Sequence, residues 1–276
     1  MIYFAIAVVL LAVFTAWVLW ANSALSLSRH SVSIKNLPDE FSGFRIIQIS
    51  DLHNDEFGKD NGTLLGIIKE SQPDIIVFTG DLIDCRNPNI DVSLKFAENA
   101  MKIAPCYYVT GNHEARIPEY TSAKEDFRKL GVTLLENESV LISKSNASIL
   151  LAGVDDPRFK EDSPLTDCEV MENQLKNVSR KNLPSVLLSH RPELFEVYAE
   201  HNFDLVLCGH THGGHFRFPF VGGLWSPYQG FFPKYDAGRF SKNNTEMIVC
   251  RGLKKSSIPP RFLNRPEIIL IELNKK

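Results

Sequence analysis

Five cysteines in 276 residues are too scattered to staple a fold. Cys85, Cys106, Cys168, Cys208 and Cys250 are odd in number and contain no C-x-x-C spacing. That argues against a disulfide framework and favours a reducing compartment. Cys208 and Cys250 lie inside apolar runs, where a free thiol behaves as a small hydrophobe. Surplus positive charge is missing as well. Lys and Arg total 30 against 33 Asp and Glu, a formal net charge of -3, so the chain has no overall basic footprint for nucleic acid. No internal repeat or low-complexity tract is present. The length suits one large α/β domain or two small ones.

The longest uncharged stretch stands at the start. Ile2 to Ala21 is apolar apart from Thr15, about the ~20 residues a helix needs to cross a bilayer. Trp17 and Trp20 cluster near one end, as interfacial aromatics do. A cleaved signal peptide is the competing reading, with Ala21-Asn22-Ser23 as a small-residue site. Against it, no Lys or Arg precedes the run, and the apolar part is longer than a usual signal core. A buried core helix is a third reading, although no polar face exists. Arg29 and Lys35 follow the run, which points the main domain to the cytoplasm. The expected organisation is a transmembrane anchor at 1–22, a linker at 23–41 and a catalytic domain at 42–276.

Within that domain, short apolar runs alternate with helical patterns. Phe44 to Ser50, Asp74 to Thr79 and Tyr107 to Thr110 read as strands; Thr63 to Glu70, Val92 to Lys102 and Glu119 to Leu130 read as helices. This order predicts βαβ units and a mostly parallel sheet. Val132 to Val154 suggests hairpins. Ser185 to Ser189 and Phe203 to Cys208 are again buried strands, and Met247 to Arg251 and Glu267 to Leu273 are the last two. Phe216 to Phe240 has neither helical nor strand period. It holds many aromatics interleaved with Gly and Pro.

Polar residues stand just past five of these strands: Asp51 and His53; Asp81; Asn112 and His113; His190; His210 and His212. Ligands bind at the carboxyl ends of strands in open α/β sheets, so the blocks are expected on one rim of one sheet. Any one block alone reads as a turn, a cap or a polar loop; their joint occurrence, with glycines at the turns, is the signal. Two divalent ions ~3.5–4 Å apart can clamp the attacking and leaving oxygens of a phosphoryl displacement. Asp81, alone on its strand end, suits an anionic bridge between them. Mixed imidazole and carboxylate donors suit Mn, Fe, Zn or Co better than Mg or Ca. The absence of thiolates disfavours a structural zinc site.

Asp-x-His, Gly-Asp, Gly-Asn-His-Glu, His and Gly-His-x-His, in that order, resemble the calcineurin-like metallophosphoesterase superfamily over about Phe44 to Leu273. The Gly153-Val154-Asp155-Asp156 block, with Arg251-Gly252-Leu253 and Arg265-Pro266-Glu267, resembles a bacterial subfamily carrying one membrane segment. The resemblance implies a four-layer α/β/β/α sandwich and a site for two divalent metal ions. It implies Asp51, His53 and His212 on one metal, Asn112, His190 and His210 on the other, and Asp81 between them. It implies His113, beside Asn112, as the group that stabilises the transition state or protonates the leaving group. His215, where many relatives have Gln, and Arg251 are candidate substrate contacts. Lys254-Lys255 also departs from the pattern.

The superfamily acts on phosphomonoesters, phosphodiesters and pyrophosphates, and the fold does not choose among them. The anchor, the aromatic segment and its accompanying bases (Arg217, Lys234, Arg239, Arg251, Lys254, Lys255) fit a lipid-linked phosphoester. The architecture is similar to that of UDP-diacylglucosamine pyrophosphatases of lipid A synthesis. Alternatives are a general phosphodiesterase or phosphatase on soluble nucleotides or cell-envelope substrates, a non-catalytic metal-binding regulator, and a nuclease. The acidic balance and the anchor speak against the nuclease, and the aromatics could instead be a packed loop.

Overall fold

Period-two alternation decides which side of each strand is buried, and in the central strands both sides are. The computed structural model describes residues 1–160, 163–178, 182–255 and 260–276. The chain begins with α1 (Ile2–Ser23), β1 (Ser26–Ile34), β2 (Phe44–Ile49), α2 (Gly62–Glu70), β3 (Ile75–Thr79), α3 (Ile90–Met101) and β4 (Cys106–Val109). It continues through α4 (Tyr120–Lys129), β5 (Thr133–Leu134), β6 (Glu138–Lys144), β7 (Ala147–Gly153), α5 (Asp167–Asn177), β8 (Ser185–Leu188), α6 (Phe195–Glu200) and β9 (Leu205–Cys208). Four two-residue strands follow: β10 (Arg217–Phe218), β11 (Gly222–Gly223), β12 (Trp225–Ser226) and β13 (Gly230–Phe231). β14 (Gly238–Lys242), β15 (Thr245–Val249) and β16 (Glu267–Lys275) complete it.

Two six-stranded mixed sheets result, in the orders β1-β16-β2-β3-β4-β5 and β14-β15-β9-β8-β7-β6. Alternate residues of each strand feed different layers. On β2, Ile46 joins the core between the sheets, while Ile47 and Ile49 face α2, α3 and α4. On β8, Val186 and Leu188 point between the sheets, and Leu187 packs towards α5 and α6. This is the expected four-layer α/β/β/α sandwich. Gln48 fastens the layers from within: its buried amide donates to Thr79 Oγ1 at 3.0 Å and to the Cys208 carbonyl at 2.8 Å, across the two sheets. α5 starts on a capping box between Thr166 and Glu169, which satisfies two end groups reciprocally.

Three expectations change. Residues 26–34 are not linker: β1 pairs in parallel with β16 over its whole length, because Val32 and Ile34 supply buried side chains to the inter-sheet core. The single sheet inferred from strand order is two sheets whose rims meet. The aromatic segment carries two small hairpins, β10–β11 and β12–β13, and then β14, all too short or too glycine-rich to show a period.

Candidate metal centre

Asp51 and His53 follow β2, Asp81 follows β3, and Asn112 and His113 follow β4; His190 follows β8, and His210 and His212 follow β9. The two rims converge because their strands break in an unusual way. Asp51, His53, Asp81, His210 and His212 all adopt positive φ, between 48° and 73°. Left-handed backbone at non-glycine residues costs energy and collects at functional sites. Neighbouring glycines let the rims touch. A Cβ on Gly209 would lie 1.8 Å from Ser50 Oγ and 2.5 Å from Asp51 Oδ2, and one on Gly111 would lie 2.2 Å from Asp81 Oδ1. In return, Asp51 accepts from the His210 N–H at 3.1 Å, and Asp81 accepts from the His113 N–H at 2.8 Å.

Among the described residues, three groups could hold a metal ion, each with donor atoms within 4.8 Å of one another: Asp51, His53 and His212; Asp81, His190 and His210; and His53, Asp84 and His113. His53 Nε2 lies 3.6 Å and His190 Nε2 lies 3.3 Å from Asp81 Oδ2, so Asp81 stands between the first two groups. Asp51, His53, Asp81, His190 and His210 are buried. Burial holds His53 down to about 3 and drives His210 and His212 well below the usual imidazole range. Those rings are neutral near pH 7 and keep a lone pair, the form that binds a metal. Burial pushes Asp51 up to about 6. Burial would also raise Asp81, but the adjacent His190 more than reverses this and holds the carboxyl well below its ordinary value. His190 is correspondingly raised to about 10, against its own burial, by Asp81. A cation placed between Asp81 and the two imidazoles would take over the role of that proton.

The donor atoms fit a metal on a further ground. His53 Nδ1 and Nε2, His210 Nε2, His212 Nδ1 and Asn112 Oδ1 are buried without a hydrogen-bond partner. Buried polar atoms are rarely left unpaired; of these, His53 Nε2 faces Asp81 at 3.6 Å, while His212 turns its Nε2 towards Asp51 at 3.9 Å and His210 sets its Nδ1 3.1 Å from His190 Nε2. The rings are also aimed. His190 Nδ1 donates to the Thr79 carbonyl at 2.8 Å, which fixes the tautomer and leaves Nε2 as donor to a metal.

Sequence reasoning overlooked several residues around this centre. Asp84 lies 3.3 Å from His113 Nδ1 and 3.8 Å from His53 Nδ1. Its only sequence signal was the acidic residue three positions after Asp81. Lys254 reaches Asp84 Oδ2 at 2.8 Å, so the departure from the superfamily pattern at that position enters the site rim. Glu114, fully buried, accepts from the Asp81, Ile83 and Gly111 N–H groups at 2.8–3.1 Å and ties two rim loops together. Arg191 is buried in a bidentate pair with Asp156, at 2.7 and 2.8 Å. It also lies under the Tyr228 ring, 4.1 Å from its centroid.

The candidate substrate contacts divide. His215 lies beside the centre, 5.4 Å from the His212 ring and stacked on Trp225 at 6.1 Å, with Nδ1 buried and unpartnered. Arg251 is instead committed to Glu267 and Ser26, which ties it to β16 and the start of β1. The bases of the aromatic segment are likewise paired: Arg217 with Asp236, Lys234 with Glu196 and Arg239 with Glu246. The packed-loop reading of the aromatics holds for Tyr235 and Phe240, which join the outer core. It fails for Phe220, Phe231 and Phe232, which are exposed.

Comparison with known proteins agrees with this geometry. The family model described as calcineurin-like phosphoesterase matches residues 44–214, the span that holds all the metal-group residues. The chain is 32% identical over 258 residues to the uncharacterized metallophosphoesterase YkuE of Bacillus subtilis, covering 90% of this chain and 85% of that protein. It is 29% identical over 260 residues to the phosphodiesterase YaeI of Escherichia coli, covering 90% and 87%. The fold is similar to that of the protein TT1561 of Thermus thermophilus, with a TM-score of 0.51 at 15% identity over 77% of this chain and 91% of that one. With the sequence match spanning the rim loops and the donor atoms converging where the strands end, the chain belongs to the calcineurin-like phosphoesterase family and is a metal-dependent phosphoesterase.

Proposed function

We propose that the protein hydrolyses a phosphodiester or pyrophosphate bond of a lipid-linked substrate at the membrane surface. Asp51, His53 and His212 would hold one divalent ion, and Asn112, His190 and His210 the other, with Asp81 between them. The observation that carries this is the gathering of Asp51, His53 and His212, and of Asp81, His190 and His210, into two groups whose donor atoms lie within 4.8 Å of one another. The mixed donor set suits manganese, iron or zinc. When bound, the two ions supply Lewis-acid stabilisation of charge on the phosphoryl oxygens and an activated water.

The chain's own residues do the rest. The Cys85 N–H points at His113 Nδ1 from 3.1 Å, which puts the neutral ring's proton on Nε2. Nε2–H is then placed to donate to the oxygen that leaves. Burial lowers the proton affinity of His113, but Asp84 and Asp81 raise it further, and the net shift is upward, as a general acid requires. Asp84 and Glu114 act by position: one orients the ring, the other the loop that carries it. His215 and Trp225 wall the side that faces the aromatic hairpins.

The lipid part of the reading rests on α1 and on the exposed aromatics beside the site. By analogy with UDP-diacylglucosamine pyrophosphatases, such a substrate would have its scissile phosphate at headgroup level. Each CH₂ lifted into water costs ~0.8 kcal/mol, so the enzyme has to meet the lipid at the bilayer. Two experiments test the proposal. Hydrolysis of bis-p-nitrophenyl phosphate with added Mn²⁺ separates an enzyme from a regulator, which would bind metal without turnover. Replacing Phe231 and Phe232 with Ser should lower turnover of lipid in vesicles far more than turnover of the small diester. Equal losses would point to a packing role for the segment and favour the soluble-substrate reading.

We place the domain on the cytoplasmic side, from Arg29 and Lys35. Cys168 is exposed and free. An impermeant thiol reagent should therefore label it only after cells are opened; labelling in intact cells would put the domain outside.

A further inference from the structure

Exposed large apolar side chains are not spread over this molecule. Among the described residues, outside α1, all but three lie between Phe218 and Leu263; the three are Leu141, Phe159 and Leu165. The concentrated set occupies the hairpins β10–β11 and β12–β13 and the turn at Phe231-Phe232. Phe220, at the tip of the first hairpin, exposes its whole side chain. Patches of this kind mark interaction surfaces.

The patch is continuous with α1. Phe262 packs on Phe216 and Phe218 at 6.1 and 6.4 Å on one side, and on Trp17 and Phe14 at 5.6 and 6.5 Å on the other. The joint is fixed by polar groups as well. Asn22 donates to the Arg261 carbonyl at 3.2 Å and accepts from the Arg261 N–H at 2.8 Å. Arg265 lies over the Trp20 ring at 5.1 Å and donates to the Ala24 carbonyl at 2.9 Å. A helix hinged freely to its domain would make none of these contacts.

Depth follows from helix geometry. Trp17 and Phe14 precede Ser23 by six and nine residues, roughly 9–14 Å along the axis at ~1.5 Å per residue. The 22 residues of α1 span about the ~30 Å of a hydrocarbon core. If Ser23 marks the headgroup edge, the level of Phe14 and Trp17 lies inside the membrane boundary, and Phe262, packed on both, lies there too. The hairpins rise from that same aromatic base. On their inner side they reach the metal centre: Tyr228 lies 5.4 Å from the His210 ring, and Trp225 stacks on His215.

We infer that the hairpins β10–β11 and β12–β13 are a membrane-docking foot, seated in the lipid interface beside α1. The occupant of the apolar patch is the bilayer itself. The foot fixes the tilt of the domain, so that the wall formed by Tyr228, Trp225 and His215 stands at the headgroup plane. This goes beyond the phosphoesterase reading and does not depend on which substrate is cleaved.

The test places a reporter on the hairpin tip of the full-length chain. The three tryptophans are replaced (Trp17→Phe, Trp20→Phe, Trp225→Phe), and one is introduced as Phe220→Trp or, as a control on the far end of α4, as Lys129→Trp. Each protein is reconstituted into phosphatidylcholine vesicles, with and without lipid brominated near the top of the acyl chains. A thermal midpoint close to that of the tryptophan-free parent confirms the fold. The expected result is a several-fold loss of Phe220→Trp fluorescence in brominated vesicles, with acrylamide quenching several-fold weaker than for Lys129→Trp. A Phe220→Trp signal as open to acrylamide as the control, and untouched by bromine, overturns the inference. Shielding from both quenchers overturns it as well, because it would mean that protein covers the patch. The readout involves no turnover, so its failure is distinct from failure of the proposed reaction.

Discussion

Removing the Asp156 carboxylate should strip a buried cation of its partner. Arg191 and Asp156 are both almost fully buried, and their two bonds measure 2.7 and 2.8 Å. Breaking a buried pair from one side costs about 3–5 kcal/mol, because the surviving charge stays desolvated. Asp167 offers Arg191 a second carboxylate at 3.0 Å, but its side chain is half exposed, so it compensates only in part. The Arg158 N–H, 2.9 Å from Asp156 Oδ1, loses its acceptor as well. We therefore expect Asp156→Ala to cost about 3 kcal/mol, which for a chain of this size lowers the midpoint by roughly 6–12 °C. Arg191→Met on top of Asp156→Ala should recover part of the loss, since no buried cation is then left without its partner, although Glu193, 3.7 Å from Arg191, loses its neighbour. Thermal unfolding of the four full-length proteins in one detergent gives the cycle. The coupling should be on the order of 3 kcal/mol, the upper end for groups in contact. Additive losses, or a single variant within ~1 kcal/mol of the parent, would show that the pair is solvated in solution.

Asp81→Ala should take the purified protein from about two bound metal ions to none, because we propose that carboxylate as the bridge between them; metal analysis showing one ion held with unchanged affinity would rule out the bridge. His113→Ala should keep its metals yet lose ~10²–10⁴-fold in turnover of a diester with a poor leaving group, and near-normal rates would leave His113 a structural role. Gly209→Ala forces a methyl group to within 1.8 Å of Ser50 Oγ, at a cost of roughly 1–3 kcal/mol. It should lower metal occupancy, and an unchanged metal content would mean that the rims can separate without harm.

The strands that are nearly continuous apolar runs, such as β2, β3 and β9, were legible because burial on both faces leaves little room for polar residues. So were Asp51, His53, Asp81, His190, His210 and His212, since chain order alone puts them at strand ends. β1 was not legible. Ser26–Ile34 alternates polar and apolar residues, and it becomes a strand only because β16, about 240 positions later, offers an edge. Asp84 and Arg191 were equally hidden. Their importance lies in partners brought close by folding, and a charged residue in a loop reads as solvated until burial is known.

The sequence by itself determined the type of chemistry: which donors stand at which strand ends, and that thiolates are absent among them. It also determined the apolar length of α1. Only the tertiary structure decided that the ends of two different sheets meet to form one centre, because that depends on inter-sheet packing at residues such as Ile46, Val186 and Leu207. It alone decided that the bases of the aromatic segment are spoken for by acids, while its phenylalanines are left uncovered. Charges pair wherever a partner comes within reach, and apolar side chains are buried only where the fold supplies a surface to cover them.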